Sequence, residues 1–264
     1  MTSNSPSVDL QISGSIAKII LSNEEHRNAM TRTMWSQLAE HCTDLASSRD
    51  IRAVVIEGKG TDAFASGADI SEFGESRRTA DQTAAYHETI QTALDAITAI
   101  PCPVIAQIHG FCIGAGTAIA LSCDVRYADE TIRYGIPAAK LGIGYNPDWV
   151  RNLVQVVGKA NAAEMLMTAR LFDAEKALRT GFANDIRPAD ELEGYIGKLV
   201  ETLSGNAPLT LSAAKVAIRE IVASETERDW SAAVAAAHVC AESEDYQNAL
   251  AAFTEKRKPA FAGR

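Results

Sequence analysis

Two glycine turns hold the groups in this chain that could do chemistry. The first is Ser66-Gly67-Ala68-Asp69. The second is Gly114-Ala115-Gly116, set between an apolar strand at 104–108 with its His109-Gly110 turn and a small apolar helix at 117–122. A glycine turn that opens a helix leaves backbone N–H groups unpaired and meets the positive end of the helix dipole. Such a place suits an anion, or an oxyanion that develops during a reaction. The small residues of both turns let a ligand approach the backbone closely.

Side chains that could act beside these turns are few. Lys140, Tyr145, Asn146 and Asp148 lie in or just after a glycine-rich stretch at 136–146. Tyr145 is the candidate catalytic hydroxyl among them, set against a plain loop tyrosine packed on the core. Asp148 stands before Trp149 at a helix start, where a carboxylate serves as N-cap. Asp69 reads as a cap of the same kind. Ser66 lacks a G-x-S-x-G elbow and reads as a small ligand-contact residue. His109 follows an apolar strand into a turn and reads as a core histidine. His87 sits in the middle of a helix, where its imidazole could face a pocket.

The chain has 264 residues, 47% of them hydrophobic, and a formal charge of −9. That length fits one large domain, or one domain with a helical appendage, and the apolar content is too high for a disordered chain. The acidic balance argues against a nucleic-acid binder. Cys42, Cys102, Cys112, Cys123 and Cys240 are odd in number and include no C-x-x-C. They read as reduced thiols of a cytoplasmic protein rather than as disulfides or metal ligands. The polar start lacks a signal core, and no apolar run is long enough to span a membrane.

These turns need elements to position them. Residues 8–13 and 15–21 read as a hairpin joined at Gly14. Residues 31–47 carry apolar side chains at helical spacing, with Thr31 or Thr33 as N-cap. Residues 52–57 form a buried strand, 71–78 a charged stretch, and 81–100 a long helix ended by Pro101 and Pro103. Strands are expected at 124–128, 131–134 and 182–187, with helices at 149–157, 161–168 and 173–180. Beyond Asp190 the chain reads as wholly helical, with candidates at 208–224, 227–241 and 244–255. The strand-strand-helix rhythm recurs loosely at 8–47, 52–100 and 104–122, which predicts an α/β core followed by a helical extension. Gly114-Ala115-Gly116 is not a dinucleotide fingerprint, because Ile119 stands where the third glycine belongs.

Together, the two glycine turns and the Cys123-Asp124 pair resemble the crotonase (enoyl-CoA hydratase/isomerase) superfamily. Asn28-Ala29-Met30 resembles the family's Asn-Ala-Leu loop. Phe172-Asp173-Ala174-Glu175-Lys176-Ala177, then Gly181-Phe182-Ala183-Asn184, resemble a later motif, and residues 253–259 resemble the family's end. The resemblance implies a spiral of strand-strand-helix turns over residues 1–200 and a helical trimerisation region over 201–264. It implies an acyl-CoA thioester as substrate, a homotrimer or dimer of trimers, and no cofactor or metal beyond the CoA carried on the substrate. The thioester carbonyl would sit between the backbone N–H groups of Ala68 and Ala115, an effect worth roughly 3–4 kcal/mol per donor in comparable oxyanion holes. Ala29, Ser66, Asp69, Ile70 and Gly114 fall at the implied substrate site. Arg27 and Lys256, or Lys258, are candidates for the CoA phosphates.

The sequence also departs from the family. Glycine is common where Ala115 stands. The two glutamates that hold and activate water in its hydratases fall on Ala118 and Ala138, and alanine can neither activate water nor donate a proton. Residues 142–146 and the chain's end resemble methylmalonyl-CoA decarboxylase, in which a tyrosine faces the acyl group. That enzyme, however, has histidine at the position of Ala68 and glutamate at that of Ala118. The attacking aspartate of the dehalogenase branch falls on Asn146. Three readings follow: a hydratase-like lyase whose reaction is not two-glutamate hydration, a decarboxylase using Tyr145, and a non-catalytic acyl-CoA binder.

Overall fold

Apolar and polar residues alternate through β1 (Ser7–Ser13), which pairs antiparallel with the more apolar β2 (Ile16–Ser22) through the turn at Gly14. From there the chain winds as a spiral. The computed structural model describes residues 5–76 and 79–264, so Arg77 and Arg78, the end of the charged stretch, lie outside the described residues. Each turn of the spiral gives one strand to each of two sheets. β3 (Ala53–Gly58), β5 (Val104–Ile108), β7 (Val125–Asp129) and β9 (Asp185–Arg187) continue the hairpin into a six-stranded sheet of order β1-β2-β3-β5-β7-β9. β4 (Ala63–Ala65), β6 (Phe111–Ile113) and β8 (Arg133–Gly135) form a second, parallel sheet of order β4-β6-β8. The β6 strand was not legible in the sequence: three residues between two glycine turns leave no room for a periodic signal.

The helices that close each turn are amphipathic or buried outright. α1 (Arg32–Ser47) starts at Thr31, whose side chain accepts from Met34 N. It packs on α3 (Ala80–Ala99), which follows the short helix α2 (Phe73–Ser76) and starts from a capping box at Thr79 and Gln82. α4 (Ala115–Ser122) is buried on every side from Gly116 to Ser122, as expected of a helix apolar all round. α5 (Pro147–Thr168) joins the two helices expected at 149–157 and 161–168, with a break where Gly158 adopts φ +76°. α6 (Ala174–Thr180) is capped by Asp173 and ends at Gly181.

α7 (Ala189–Ser204) lays Leu192, Ile196 and Val200 against Ala53, Val55 and Ile105 on the outer face of the large sheet. Residue 200 lies inside α7, and the run of helices that follows starts with α8 (Pro208–Val222). α9 (Trp230–Glu242) and α10 (Glu244–Glu255) complete it. Lys215 Nζ ties the extension to the core at Asp124 (2.8 Å), and Arg52 donates to the Phe261 carbonyl (2.9 Å). α8 to α10 expose Ile218, Trp230, Leu250 and Phe253. Among the described residues no helix is long and apolar enough to cross a membrane.

Candidate active site

The first glycine turn is held from behind by Asn28. Its side-chain amide donates to the carbonyls of Lys59 (2.9 Å) and Ala63 (2.7 Å), and its Oδ1 accepts from Asn23 N. This fixes Met30, whose N–H donates to Gly67 O while its carbonyl accepts from Asp69 N. Bonds at residues 67 and 69 turn the intervening Ala68 N–H to the other side, as alternation along an extended segment requires. Gly67 makes the bend at φ +122°, a backbone conformation that a side chain would strain. Ser66 donates through its N–H to Arg27 O and through its hydroxyl to His26 O, both at 3.0 Å.

The second turn is pressed against the first. Gly114 caps α4 at φ +54°, and Ala115 is the first residue of the helix. A Cβ on Gly116 would lie 2.3 Å from the Ala65 carbonyl oxygen, so glycine alone lets α4 pack onto β4. A Cβ on Gly114 would lie 3.8 Å from Gly67 Cα. The two turns thus run side by side. Thr117 locks the helix start by donating to the carbonyl of Cys112 (2.8 Å), with Gly135 O at 3.1 Å. Among the described residues the N–H groups of Ala68 and Ala115 have no hydrogen-bond partner.

In front of these turns lies a cavity of about 140 Å³. Ser66, Ala68, Ile70, Gly114, Ala115, Ala118, Ala138 and Tyr145 all line it, so the structure brings together eight of the twelve residues expected at the site. The rest of the wall includes Trp35 from α1, Phe73 from α2, His87 and Ile90 from α3, Ile113 from β6, Ile136, Pro137, Leu141 and Ile143 in and around a 3-10 turn, and Trp149 from α5. No Asp, Glu, Lys or Arg is among the described residues that line it. Ala118 and Ala138 stand on the wall itself, and among the described lining residues no carboxylate stands beside them.

Tyr145 donates through its hydroxyl to Gly114 O at 3.4 Å, and its ring meets Trp149 edge-on at 5.3 Å. Its hydroxyl end is shielded although the residue is half-buried, and this desolvation pushes the pKa upward. The His87 ring also packs on Trp149, at 5.5 Å with the planes 70° apart, and Trp149 is held by donating Nε1 to Gln91 Oε1 at 2.8 Å. One aromatic partition therefore carries both the phenol and the imidazole of the wall.

Four expected residues do not line the cavity. Ala29 is buried behind the first turn, where its carbonyl accepts from Asn23 Nδ2. Asp69 caps a 3-10 turn by accepting from Ser71 N, as its reading as a structural cap expects. Arg27 lies on the surface with its guanidinium over the Phe111 ring at 4.7 Å, beside the mouth through its bond to Ser66. Lys256 is exposed at the end of α10 in a left-handed conformation. One cap is corrected: Asn146, not Asp148, caps α5, while Asp148 sits in the first turn and pairs with Arg151. Lys140 and Asp148 are exposed and outside the cavity.

Sequence reasoning missed Trp35, Phe73, Ile90 and Trp149. On an amphipathic helix, an apolar side chain that faces a cavity has the same spacing as one that faces the core. His87 carried one signal, since it stands one turn before Ile90 on the same face of α3.

The sequence model of the enoyl-CoA hydratase/isomerase family matches residues 11–264. The chain is 30% identical over 246 residues to the 2,3-dehydroadipyl-CoA hydratase of Escherichia coli K12, covering 93% of this chain and 94% of that one. It is 30% identical over 262 residues to the peroxisomal Delta(3,5)-Delta(2,4)-dienoyl-CoA isomerase of Arabidopsis thaliana, covering 94% and 93%. The crystal structure of an enoyl-CoA hydratase/carnithine racemase from Magnetospirillum magneticum superposes with a TM-score of 0.93 at 32% identity, over 97% of this chain and 96% of that one. The two glycine turns, the two-sheet spiral and these matches over almost the whole length place the chain in the enoyl-CoA hydratase/isomerase family.

Proposed function

We propose that this protein is an acyl-CoA enzyme that forms a thioester enolate without carboxylate-activated water. The observation that carries the reading is the cavity wall. It holds two unpartnered backbone N–H groups, an apolar surface, and alanine at both 118 and 138. The thioester oxygen accepts from Ala68 and Ala115, and the charge that develops on it is stabilised by donors fixed before the reaction begins. Ile70 and Gly114 flank the thioester, and Arg27 at the rim serves the CoA phosphates. Tyr145, kept protonated by burial, orients the acyl group as a hydrogen-bond donor. His87 exchanges the proton at the α-carbon, since imidazole is the side chain that ordinarily titrates near neutral pH. The names of the relatives support the acyl-CoA part of this reading, because both are named for enzymes of unsaturated acyl-CoA thioesters.

A second reading is favoured by the absence of any Lys or Arg among the described lining residues: decarboxylation of a malonyl-type thioester. The bond from the α-carbon to the carboxylate breaks, carbon dioxide leaves, the electron pair enters the enolate, and Tyr145 or His87 returns a proton to the α-carbon. An apolar wall destabilises the starting carboxylate more than the neutral product. The apolar residues exposed on α8 to α10 support assembly as a homotrimer or dimer of trimers.

The reading is tested by following enone absorbance with crotonyl-CoA and deuterium entry at the α-carbon of butanoyl-CoA in D2O. The expected result is exchange without hydration, and rapid hydration sinks the proposal. Carbon dioxide released from methylmalonyl-CoA selects the second reading. Tight binding of acyl-CoA with none of these reactions leaves a non-catalytic binder.

A further inference from the structure

His87, Gln91 and Asp95 stand four residues apart on one row of α3. His87 lines the cavity, and Gln91 and Asp95 are not among the described residues that do. Asp95 Oδ1 accepts from Gln91 Nε2 at 2.8 Å, and Gln91 Oε1 accepts from Trp149 Nε1 at 2.8 Å. A carboxylate accepts and an indole N–H only donates, so these two partners leave the Gln91 amide one orientation. Trp149 is buried, and the rings of both His87 and Tyr145 pack T-shaped on it. Ring pairs of this kind tolerate centroid separations of roughly 4.5–7 Å. A hydrogen bond weakens steeply as its angle closes. The bond to Gln91 is therefore what sets the tilt of the indole, and the indole is what both rings lean on.

We infer that Gln91 is a positioning residue for proton exchange at the α-carbon: through Trp149 it holds the His87 imidazole and the Tyr145 phenol in place on the cavity wall. This rests on the acyl-CoA reading above. In that exchange His87 takes the α-proton, the electron pair of the broken C–H bond enters the enolate, and a deuteron from solvent is returned to the same carbon. Both rings must keep their distances to the bound acyl group, and a misplacement of about 1 Å can cost as much as about a hundredfold in rate. Gln91 acts at a distance, since it reaches the wall only through the Trp149 indole. Asp95 extends the chain to the surface and keeps the amide carbonyl turned to that indole. Support of this kind, a hydrogen bond behind a residue of the site, is what holds a catalytic arrangement to its working geometry.

The test is a double-mutant cycle on deuterium entry into butanoyl-CoA. Gln91→Met keeps the length of the side chain and removes the acceptor. Its kcat for exchange is expected to fall about tenfold, with KM for the thioester within about twofold of wild type. Trp149→Phe removes the donor and is expected to lose at least as much. In the Trp149→Phe background Gln91→Met is expected to cost less than about twofold, because the bond it breaks is already gone. If Gln91→Met folds poorly, Gln91→Lys takes its place: it too lacks an acceptor, and its ammonium pairs with Asp95 one turn on. A readout independent of activity is the Trp149 indole N–H proton resonance, assigned by its loss in Trp149→Phe, which is expected to move upfield when Gln91 is replaced. Exchange within about twofold of wild type in the Gln91 variant, a fall that repeats in full in the Trp149→Phe background, a loss confined to KM, or an unmoved indole resonance overturns the inference and leaves the acyl-CoA reading standing. Exchange undiminished in His87→Gln overturns the role given to His87 and the inference with it. Absence of exchange in the wild type overturns both the inference and the reading it rests on.

Discussion

The Tyr145 hydroxyl donates to the carbonyl oxygen of Gly114 at 3.4 Å, one residue before the N–H of Ala115. The phenol is thus anchored to the turn that supplies the second donor, and Trp149 fixes its ring from the side. Tyr145→Phe keeps the ring and removes the anchor and the donor. We expect kcat for the reaction found to fall about ten- to a hundredfold, with acyl-CoA affinity within about twofold of wild type. Steady-state kinetics with calorimetry checks this, and undiminished kcat would remove Tyr145 from the mechanism.

Ala115 is the first residue of α4, the helix position where proline is best tolerated. Ala115→Pro therefore deletes one N–H at the cavity with little cost to the helix. Exchange at the α-carbon should fall about 10²–10³-fold, the range seen on loss of one oxyanion donor. The melting temperature should move by only a few degrees. A large drop in melting temperature with activity per folded molecule preserved would refute the donor role.

His87 and Tyr145 are the titratable side chains among the described lining residues. His87→Gln keeps a polar side chain and loses the ability to take a proton near neutral pH. Deuterium entry at the α-carbon should fall about 10²-fold or more, with acyl-CoA affinity retained. Decarboxylation, if it occurs, should lose less, since it needs only a proton returned at the end.

The turns that supply the donors were legible because glycine and small residues at fixed spacing leave few alternatives: Gly67 and Gly114 adopt positive φ, and Gly116 has no room for a Cβ. The strand-strand-helix rhythm was legible for the same turns, and its fourth round, β7 with β8, was present as two strands whose role in the spiral was not. What the sequence hid was the far wall. Trp35 and Ile90 sit on helix faces that read as core, and only the placement of α1 and α3 in space shows that part of this face borders a cavity. The stretch at 136–146 was read as a glycine-rich loop or short helix, and it became a 3-10 turn at Pro137–Leu141 that carries Ala138 onto the wall.

The thiols offer a test of the core. Cys42, Cys102, Cys112 and Cys123 are buried, and Cys240 is the half-buried one. Burial pushes Cys102 up to about 11 and Cys42 up to about 12, and raises Cys112 and Cys123 as well. Unfolded thiols ionise near 8.5, so above that pH the unfolded chain releases protons that the folded chain keeps. Their folded-state preference is fully present below about pH 8.5 and is lost as pH rises toward 11. The melting temperature should fall between pH 8.5 and 10.5, and a Cys102→Ala variant should fall less steeply. At pH 8 a disulfide reagent should titrate at most one thiol quickly in the native protein and five after denaturation.

The sharpest test of the alanines is to restore what they lack. Ala118 and Ala138 both line the cavity, so Ala118→Glu with Ala138→Glu puts two carboxylates where no others stand among the described lining residues. If the donors at Ala68 and Ala115 hold a thioester as proposed, this double variant should hydrate crotonyl-CoA, while wild type and each single variant should not. The gain carries a cost with a defined sign. Two carboxylates in an apolar wall have raised pKa values, by desolvation and by mutual repulsion. Their penalty is small below about pH 4, where unfolded and folded chains both hold the protons, and it grows as pH rises toward the folded-state values. The variant should therefore lose more melting temperature relative to wild type at pH 8 than at pH 5. Hydration by the wild type would mean that another group already holds the water. A stable double variant that binds acyl-CoA but never hydrates it would mean that the thioester does not lie against Ala68 and Ala115.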